Sequence, residues 1–307
     1  MRLQPMLLAA TCAASAAIST LCPAQASQGD ATSRIALRAT ASPQAALRAL
    51  EREYWQWRLT EYPEQATWLG DNRYNNRLVD LSPEAIDRRK AAARRTLARA
   101  RAINASRLTG QDVISLSLLK YELGIAVEGQ RFPSDLLALD QLDGPHIGFP
   151  QLAAATPFRD ARDYEAYVAR LTSYSRFLSQ TTALLRRGMV AGWVQPNGPL
   201  RGVPAQIEGQ LTDDPAKSVL YAPFDKVPVT LAAAERERLQ AAGRRAIADS
   251  VLPALRQFRD FVRDEYMPAG TRATGISSLP QGREYYALAI RRETTTDLRP
   301  IPSMRSA

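Results

Sequence analysis

Apolar residues recur every three or four positions over most of this chain, a spacing that lines up one face of an α-helix. Ser42 and Pro43 read as a helix start, followed by the stripe Leu47, Leu50, Tyr54 and Trp57, and the helix is expected to end near Tyr62 and Pro63. Ser82 and Pro83 open a second, with Ile86, Ala93, Leu97, Ala100 and Ile103 on one side and arginines on the other. Thr109, three residues before Asp112, resembles a capping box ahead of a third helix. Its apolar residues fall on two sides, Val113, Leu116, Leu119, Leu123 and Val127 on one and Ile114, Leu118, Tyr121 and Ile125 on the other, which predicts burial between other helices.

The clearest stripe is Tyr164, Tyr167, Leu171, Tyr174, Leu178 and Leu185, opened by Asp160 and Asp163 and closed around Gly188 to Gly192. A last long helix is expected from Leu231 to Tyr266, kinked at Pro253, then a turn over Met267 to Gly275 and a short helix around Tyr285 and Tyr286. Proline and glycine punctuate Phe132 to Phe158 and Val194 to Pro228, which read as irregular. Alternation with a period of two is confined to brief stretches such as Val227 to Leu231. The fold class is mainly α: long amphipathic helices joined by extended Pro/Gly-rich loops.

The first residues follow a different pattern. Arg2, the apolar run from Met6 to Ile18 and the small-x-small site Ala24, Gln25, Ala26 form an export leader, 1–26, cleaved near Ala26. The run is too short and alanine-rich for a membrane span, so no span is expected in the mature chain. Both cysteines, Cys12 and Cys22, lie in this leader, and neither has the sequence context of a lipidated cysteine. Maturation would leave a periplasmic or extracellular protein without disulfides or thiol chemistry. Residues 27–41, rich in Ser, Ala, Thr and Gln, read as a disordered lead-in, 42–297 as the helical domain, and 298–307 as an aberrant tail.

Charge narrows the partners. The 307 residues carry a formal net charge of +9, and the cations are almost all arginine. Arginine reads carboxylates and phosphates in fork geometry, so nucleic acid, acidic lipid and acidic substrates all enter consideration. Interleaving with acids, as in Arg236, Glu237, Arg238 and Arg259, Asp260, Arg263, Asp264, points instead to salt-bridged helix faces. Export separates the chain from its own genome, so no nucleic-acid partner is expected.

Catalytic candidates are sparse. His146, within Gly144, Pro145, His146, Ile147, Gly148, is the one histidine. It reads either as a substrate-contacting or proton-transfer residue on a cleft loop, or as a turn residue capping a backbone carbonyl. A catalytic zinc site draws on three protein ligands, and a second histidine and a mature cysteine are both missing, so no metal site and no cofactor are expected in this chain. A Gly-x-Ser-x-Gly elbow and a glycine-rich phosphate loop are absent. The acids Asp213 with Asp214 and Glu235 with Glu237 point to different faces and make poor cation ligands. The aromatic groups Tyr54, Trp55, Trp57 and Tyr285, Tyr286 are either core or a shelf for a peptide or sugar, and Thr294 to Thr296 either cap a following helix or face a ligand.

Several ordered motifs carry a family resemblance. Gly282 to Asp297, GREYYALAIRRETTTD, preceded by Leu279 and Pro280, closely resembles a segment of the secreted bacterial family called domain of unknown function 885. Similar landmarks precede it: Tyr62, Pro63, Ala66, Thr67, Leu69, Gly70, Arg73 and Tyr74; Leu81 to Ala85; Gly144, Pro145, His146; Pro150, Gln151, Leu152; Thr156, Pro157, Phe158; Tyr167, Ala169, Arg170, Leu171; and Leu185, Arg186, Gly188, Gly192, Pro196. The resemblance implies a secreted, helical, metallopeptidase-like protein. Relatives run to about twice this length, and their second half carries a His-Glu-x-x-Pro-Gly-His-His pattern that implies zinc.

That half is not in this sequence. The chain is therefore expected to be an incomplete part of a larger helical domain, through a premature stop, a frameshift or a split gene, and to be catalytically inactive by itself. The alternatives are one half of a split zinc peptidase completed by a complementary C-terminal chain, or a periplasmic binding module. Peptide is the expected substrate class, with His146, Tyr285 and Tyr286 as candidate contacts. Without its neighbours, the Tyr164 to Leu185 stripe is expected to lose packing surface.

Overall fold

Two serine–proline pairs set the first long helices. The side chains of Ser42 and Ser82 accept from the N–H groups of Ala45 and Ala85, answering donors that a helix start leaves open. The computed structural model describes residues 42–298 apart from residue 274. The leader 1–26, the lead-in 27–41 and, Leu298 aside, the tail 298–307 lie outside the described residues. Helix α1 spans Pro43–Glu61, α2 Pro63–Trp68, α3 Pro83–Ala102 and α4 Gln111–Gly129. Helix α4 starts not at Thr109 but at Gly110, whose φ of 56° is left-handed, and no side chain caps it.

Helices α1, α3 and α4 close around Leu47, Leu50, Leu97, Ala100, Leu108, Leu116, Leu119 and Leu123. Burial of α4 on the two expected sides is partial: Leu116, Leu119 and Leu123 are buried, whereas Val113 on the same side and Ile114 and Leu118 on the other are exposed. On the second side only the C-terminal half meets neighbours, with Ile125 packed against the cluster around Phe132, Tyr285 and Leu288 and the Tyr121 hydroxyl on Arg291 O, while Ile114 and Leu118 face solvent.

The stretch 132–158 is not the irregular region its prolines predict. It holds α5, Pro145–Ala155, with Pro145 in the first turn and Pro150 inside. A mid-helix proline removes the N–H that would bond the carbonyl four residues back. Here that carbonyl belongs to His146, and Gln210 Nε2 donates to it at 2.7 Å, which restores the lost partner.

Helix α6, Ala161–Ala191, is the longest, capped by Asp160, whose side chain accepts from the Asp163 N–H. Its Tyr164, Tyr167, Leu171, Tyr174, Leu178 and Leu185 are all buried, which corrects the expectation that this stripe would lose its packing surface. The phenol groups find partners in the connecting segments: Tyr167 donates to Leu220 O at 3.0 Å, Tyr174 to Pro145 O at 2.9 Å, and Tyr164 lies 3.2 Å from both Pro223 O and Lys226 O. Burial raises all three phenols above their ordinary range.

Those segments are themselves partly helical, another departure from the loop expected over 194–228. Helix α7 covers Asn197–Leu200 and α8 Val203–Glu208, followed by 3₁₀ turns at Pro215–Lys217 and Val219–Lys226. No strand forms at 227–231, and the one β-bridge among the described residues joins Pro196 to Thr271.

The expected 231–266 helix is α9, Ala233–Ala246, and α10, Leu252–Phe261, with a π turn after each. The first, Ile247–Val251, comes just before Pro253 and bonds Leu252 N–H to Ile247 O, so a widened turn absorbs the proline. Helix α11, Gly282–Thr294, packs on α4, where the Tyr121 hydroxyl donates to Arg291 O and Arg291 pairs with Glu128. No helix among the described residues is long and apolar enough to cross a membrane.

Candidate functional site

Regular helix spacing gathers separate parts of the chain around one cleft. Tyr54, Trp57 and Arg58 share a face of α1, Ile86, Arg89, Lys90 and Ala93 a face of α3, and Tyr285, Leu288 and Arg292 a face of α11. Ile125, Ala126 and Gly129 of α4 close the side, with Tyr62, Gln130, Phe132, Ser134 and Asp135 at the end. The cavity is about 320 Å³, at the small end of the range for small-molecule sites.

Its walls are aromatic. Tyr54 and Trp57 are stacked with ring centroids 5.8 Å apart, and Trp57 meets Tyr62 edge-on at 6.4 Å. Tyr285 is clasped by Phe132 and Trp193, each with its ring centroid 5.3 Å away. Burial raises the Tyr62 phenol, and the guanidinium groups of Arg89 and Arg58 pull it back down.

Cations sit among these rings. Arg58 lies over Tyr54 at 5.8 Å and Arg89 over Tyr62 at 5.7 Å, both in cation–π range. Arg58 donates to Gln65 Oε1 from Nη2, while its buried Nε has no hydrogen-bond acceptor. Lys90 pairs with Asp135 at 3.2 Å.

Arg89 is the unusual member. Its side chain is 9 % exposed, and Nη1 has no hydrogen-bond acceptor. It forms an ion pair with Glu61 at 3.5 Å, a carboxylate that also takes Arg88, and its charge is felt by the buried Glu64 as well. A guanidinium carries five N–H donors, and leaving buried ones unbonded costs about 1–3 kcal/mol each.

The residues singled out in the sequence divide. Tyr54, Trp57 and Tyr285 come together on the cleft walls, whereas Trp55 and Tyr286 do not line it, and Tyr286 is 45 % exposed. His146 is elsewhere, in the first turn of α5 and not in a loop turn. It is 1 % exposed, with Nε2 3.0 Å from Gln206 Oε1, a side-chain amide where a backbone carbonyl was expected. Gln206 Nε2 donates to Gln141 O, so its Oε1 faces the ring and Nε2 carries the proton, leaving Nδ1 buried without a partner. Burial holds the imidazole below its ordinary pKa, against the opposing pull of Gln206, Asp140 and Asp143. The threonine run ends α11, with Thr295 left-handed at φ 55° and Thr294 donating to Ile290 O at 2.8 Å.

Arg89 escaped the sequence reading although a signal was present. It lies three residues after Ile86 and four before Ala93, on the apolar stripe of α3 and not on its arginine-rich side. Arg58 similarly follows Trp57 at the i+4 position from Tyr54.

Zinc finds no fit among the described residues. They contain one histidine, already held by Gln206, and no group of three or more His, Cys, Asp or Glu side chains gathers at ligand distance.

Comparison with known proteins then sets the fold in context. No curated protein matches the sequence. A solved structure from Colwellia psychrerythraea, described as a "putative lipoprotein", superposes with a TM-score of 0.73 at 16 % identity, over 84 % of this chain and 47 % of that one. This chain thus spans about half the length of that protein, and the likeness at this identity is one of fold. Residues 63–303 match the family model described as "Bacterial protein of unknown function (DUF885)", and the chain belongs to that family.

Proposed function

We propose that this chain is an exported, peptidase-like family member whose residues 42–298 bind a ligand in the α1–α3–α4–α11 cleft without hydrolysing it. The observation that supports this most directly is the location of His146. The side chain best suited to general acid–base work is sealed in the core between α5 and α8, with Gln206 on its ring and Gln210 on its carbonyl. The cleft carries cations, phenols, the Ser134 hydroxyl and the Asp135 carboxylate, a set that can orient a ligand. Export rests on the leader pattern and agrees with the description of the structural relative as a lipoprotein.

A second reading is supported by the length relation, since the chain covers 47 % of its structural relative. A complementary chain bearing the histidine-rich pattern would supply the zinc and the hydrolysis, and peptide would be the substrate. Peptidase activity and metal content of residues 27–307, alone and with such a chain, test both readings. Hydrolysis by residues 27–307 alone would end the first. Zinc and activity that arise only on mixing would establish the second.

A further inference from the structure

We propose that the cleft is a monocarboxylate site, taking an organic carboxylate on an aromatic or apolar body, with Arg89 as the group that binds the carboxylate. This deepens, and rests on, the reading of the cleft as a ligand-binding site. The first argument is the unmet demand of Arg89. Its side chain is more than nine-tenths buried and lines the cavity, yet it makes no hydrogen bond among the described residues, and Glu61 approaches only to 3.5 Å. A planar carboxylate offers two acceptors that match the guanidinium fork.

The second argument is charge. Lys90 is already paired with Asp135, and Arg89 shares its surroundings with Glu61. Arg292 pairs with Glu293, and Arg58 lines the cleft without an acidic partner among the described residues, so Arg58 and Arg89 are the cations left to attract an anion, and the choice of a carboxylate over a phosphate rests on the fork geometry and on the walls. The third argument is the wall chemistry. Tyr54, Trp57 and Tyr285 present ring surface beside the cation, so the body of the ligand is apolar or aromatic. A cavity of about 320 Å³ limits it to a small acid or the end of a peptide.

Calorimetric titration of residues 27–307 with 3-phenylpropionate and with the tripeptide Ala-Ala-Phe tests the assignment. Phenylpropionamide, phenyl phosphate and acetate serve as comparison ligands. The expected result is binding of one or both carboxylates at least tenfold tighter than the amide, the phosphate or acetate. Tighter binding of the tripeptide would assign a peptide C-terminus, and tighter binding of the free acid a small metabolite.

Arg89→Gln is expected to weaken binding at least tenfold and Arg89→Lys to restore part of it. Trp57→Leu, on a half-buried side chain, gives a second probe should the arginine variants fail to fold, and is expected to lower affinity for phenylpropionate severalfold. Arg186→Gln, at a surface pair with Glu265, is expected to change nothing. Equal binding of acid and amide, preference for the phosphate, or full affinity in Arg89→Gln would overturn the carboxylate assignment while leaving a binding cleft. Absence of binding by every probe would overturn both, and peptide hydrolysis with carboxylate binding intact would overturn only the non-hydrolytic reading.

Discussion

Arg170 Nη2 donates to Thr67 Oγ1 across 3.0 Å, joining the middle of α6 to the end of α2 with a guanidinium that has no solvent exposure. The same side chain donates to Tyr74 O and, from Nε, to Arg77 O, so it ties down the 70–77 segment that leads into α3. Burial lowers Arg170 to about 10, and burial raises the neighbouring Glu64 carboxyl above its usual range. Truncating such a buried hub leaves several acceptors unpaired. Arg170→Met is expected to cost about 3–5 kcal/mol in urea unfolding, with Arg170→Lys recovering only a part. A loss below about 1 kcal/mol would show that the segment is held by other contacts.

His146 gives a pH dependence whose sign follows from burial. Its folded pKa lies below the unfolded value of 6.5, so between the two the unfolded chain binds more protons. Its neutral form therefore supports the fold fully above pH 6.5, and that support is lost as pH falls through 6.5 toward the folded pKa. His146→Gln is expected to be less stable than the parent at pH 7.5, with the gap in melting temperature narrowing by pH 5.5. A gap that stays constant with pH would mean that the imidazole does not titrate with unfolding.

These two residues also show how much the sequence disclosed. Helices α1, α3 and α6 were readable because Ser42-Pro43, Ser82-Pro83 and the Asp160 cap mark their starts and each buries a single stripe, whereas α11, which starts at a left-handed Gln281 without a side-chain cap, was placed only roughly, around Tyr285 and Tyr286. Helix α5 was hidden because Pro150 reads as a breaker, and only tertiary structure supplies Gln210 as the replacement donor to the His146 carbonyl. The cleft was half legible. Its aromatic members stood out, but Arg89 counts as surface until its place on the stripe of α3 is noticed, and the pairing of α1 with α11 needs the fold.

Gly282 and Gly124 make opposite cases for one substitution. A Cβ at Gly282 would lie 2.1 Å from Ile276 O and 2.9 Å from Ser277 backbone atoms, which cannot swing aside as a side chain would. Gly124, inside α4, has nothing within 4 Å. Gly282→Ala is expected to destabilise by about 1–3 kcal/mol through overpacking. Gly124→Ala is expected to stabilise by up to about 1 kcal/mol through helix propensity and a less flexible unfolded chain. Thermal unfolding of the two variants distinguishes them, and a shift of the same sign in both would contradict the packing argument.

The adjacent tyrosines of α11 separate structural from ligand-facing roles. Tyr285 is buried between Phe132 and Trp193, whereas Tyr286 is 45 % exposed and lies outside the cleft. Removing a buried ring leaves a large cavity, so Tyr285→Ala is expected to cost about 3–5 kcal/mol, against less than about 1 kcal/mol for Tyr286→Ala. The hydroxyl can be examined apart from the ring, because Tyr285 makes no hydrogen bond through it among the described residues. Tyr285→Phe is therefore expected to leave the melting temperature within a degree or so of the parent, since only a solvated polar atom is removed. Weakened carboxylate binding in that variant would place the hydroxyl against the ligand beside Arg89, whereas unchanged affinity would restrict Tyr285 to supplying the apolar wall.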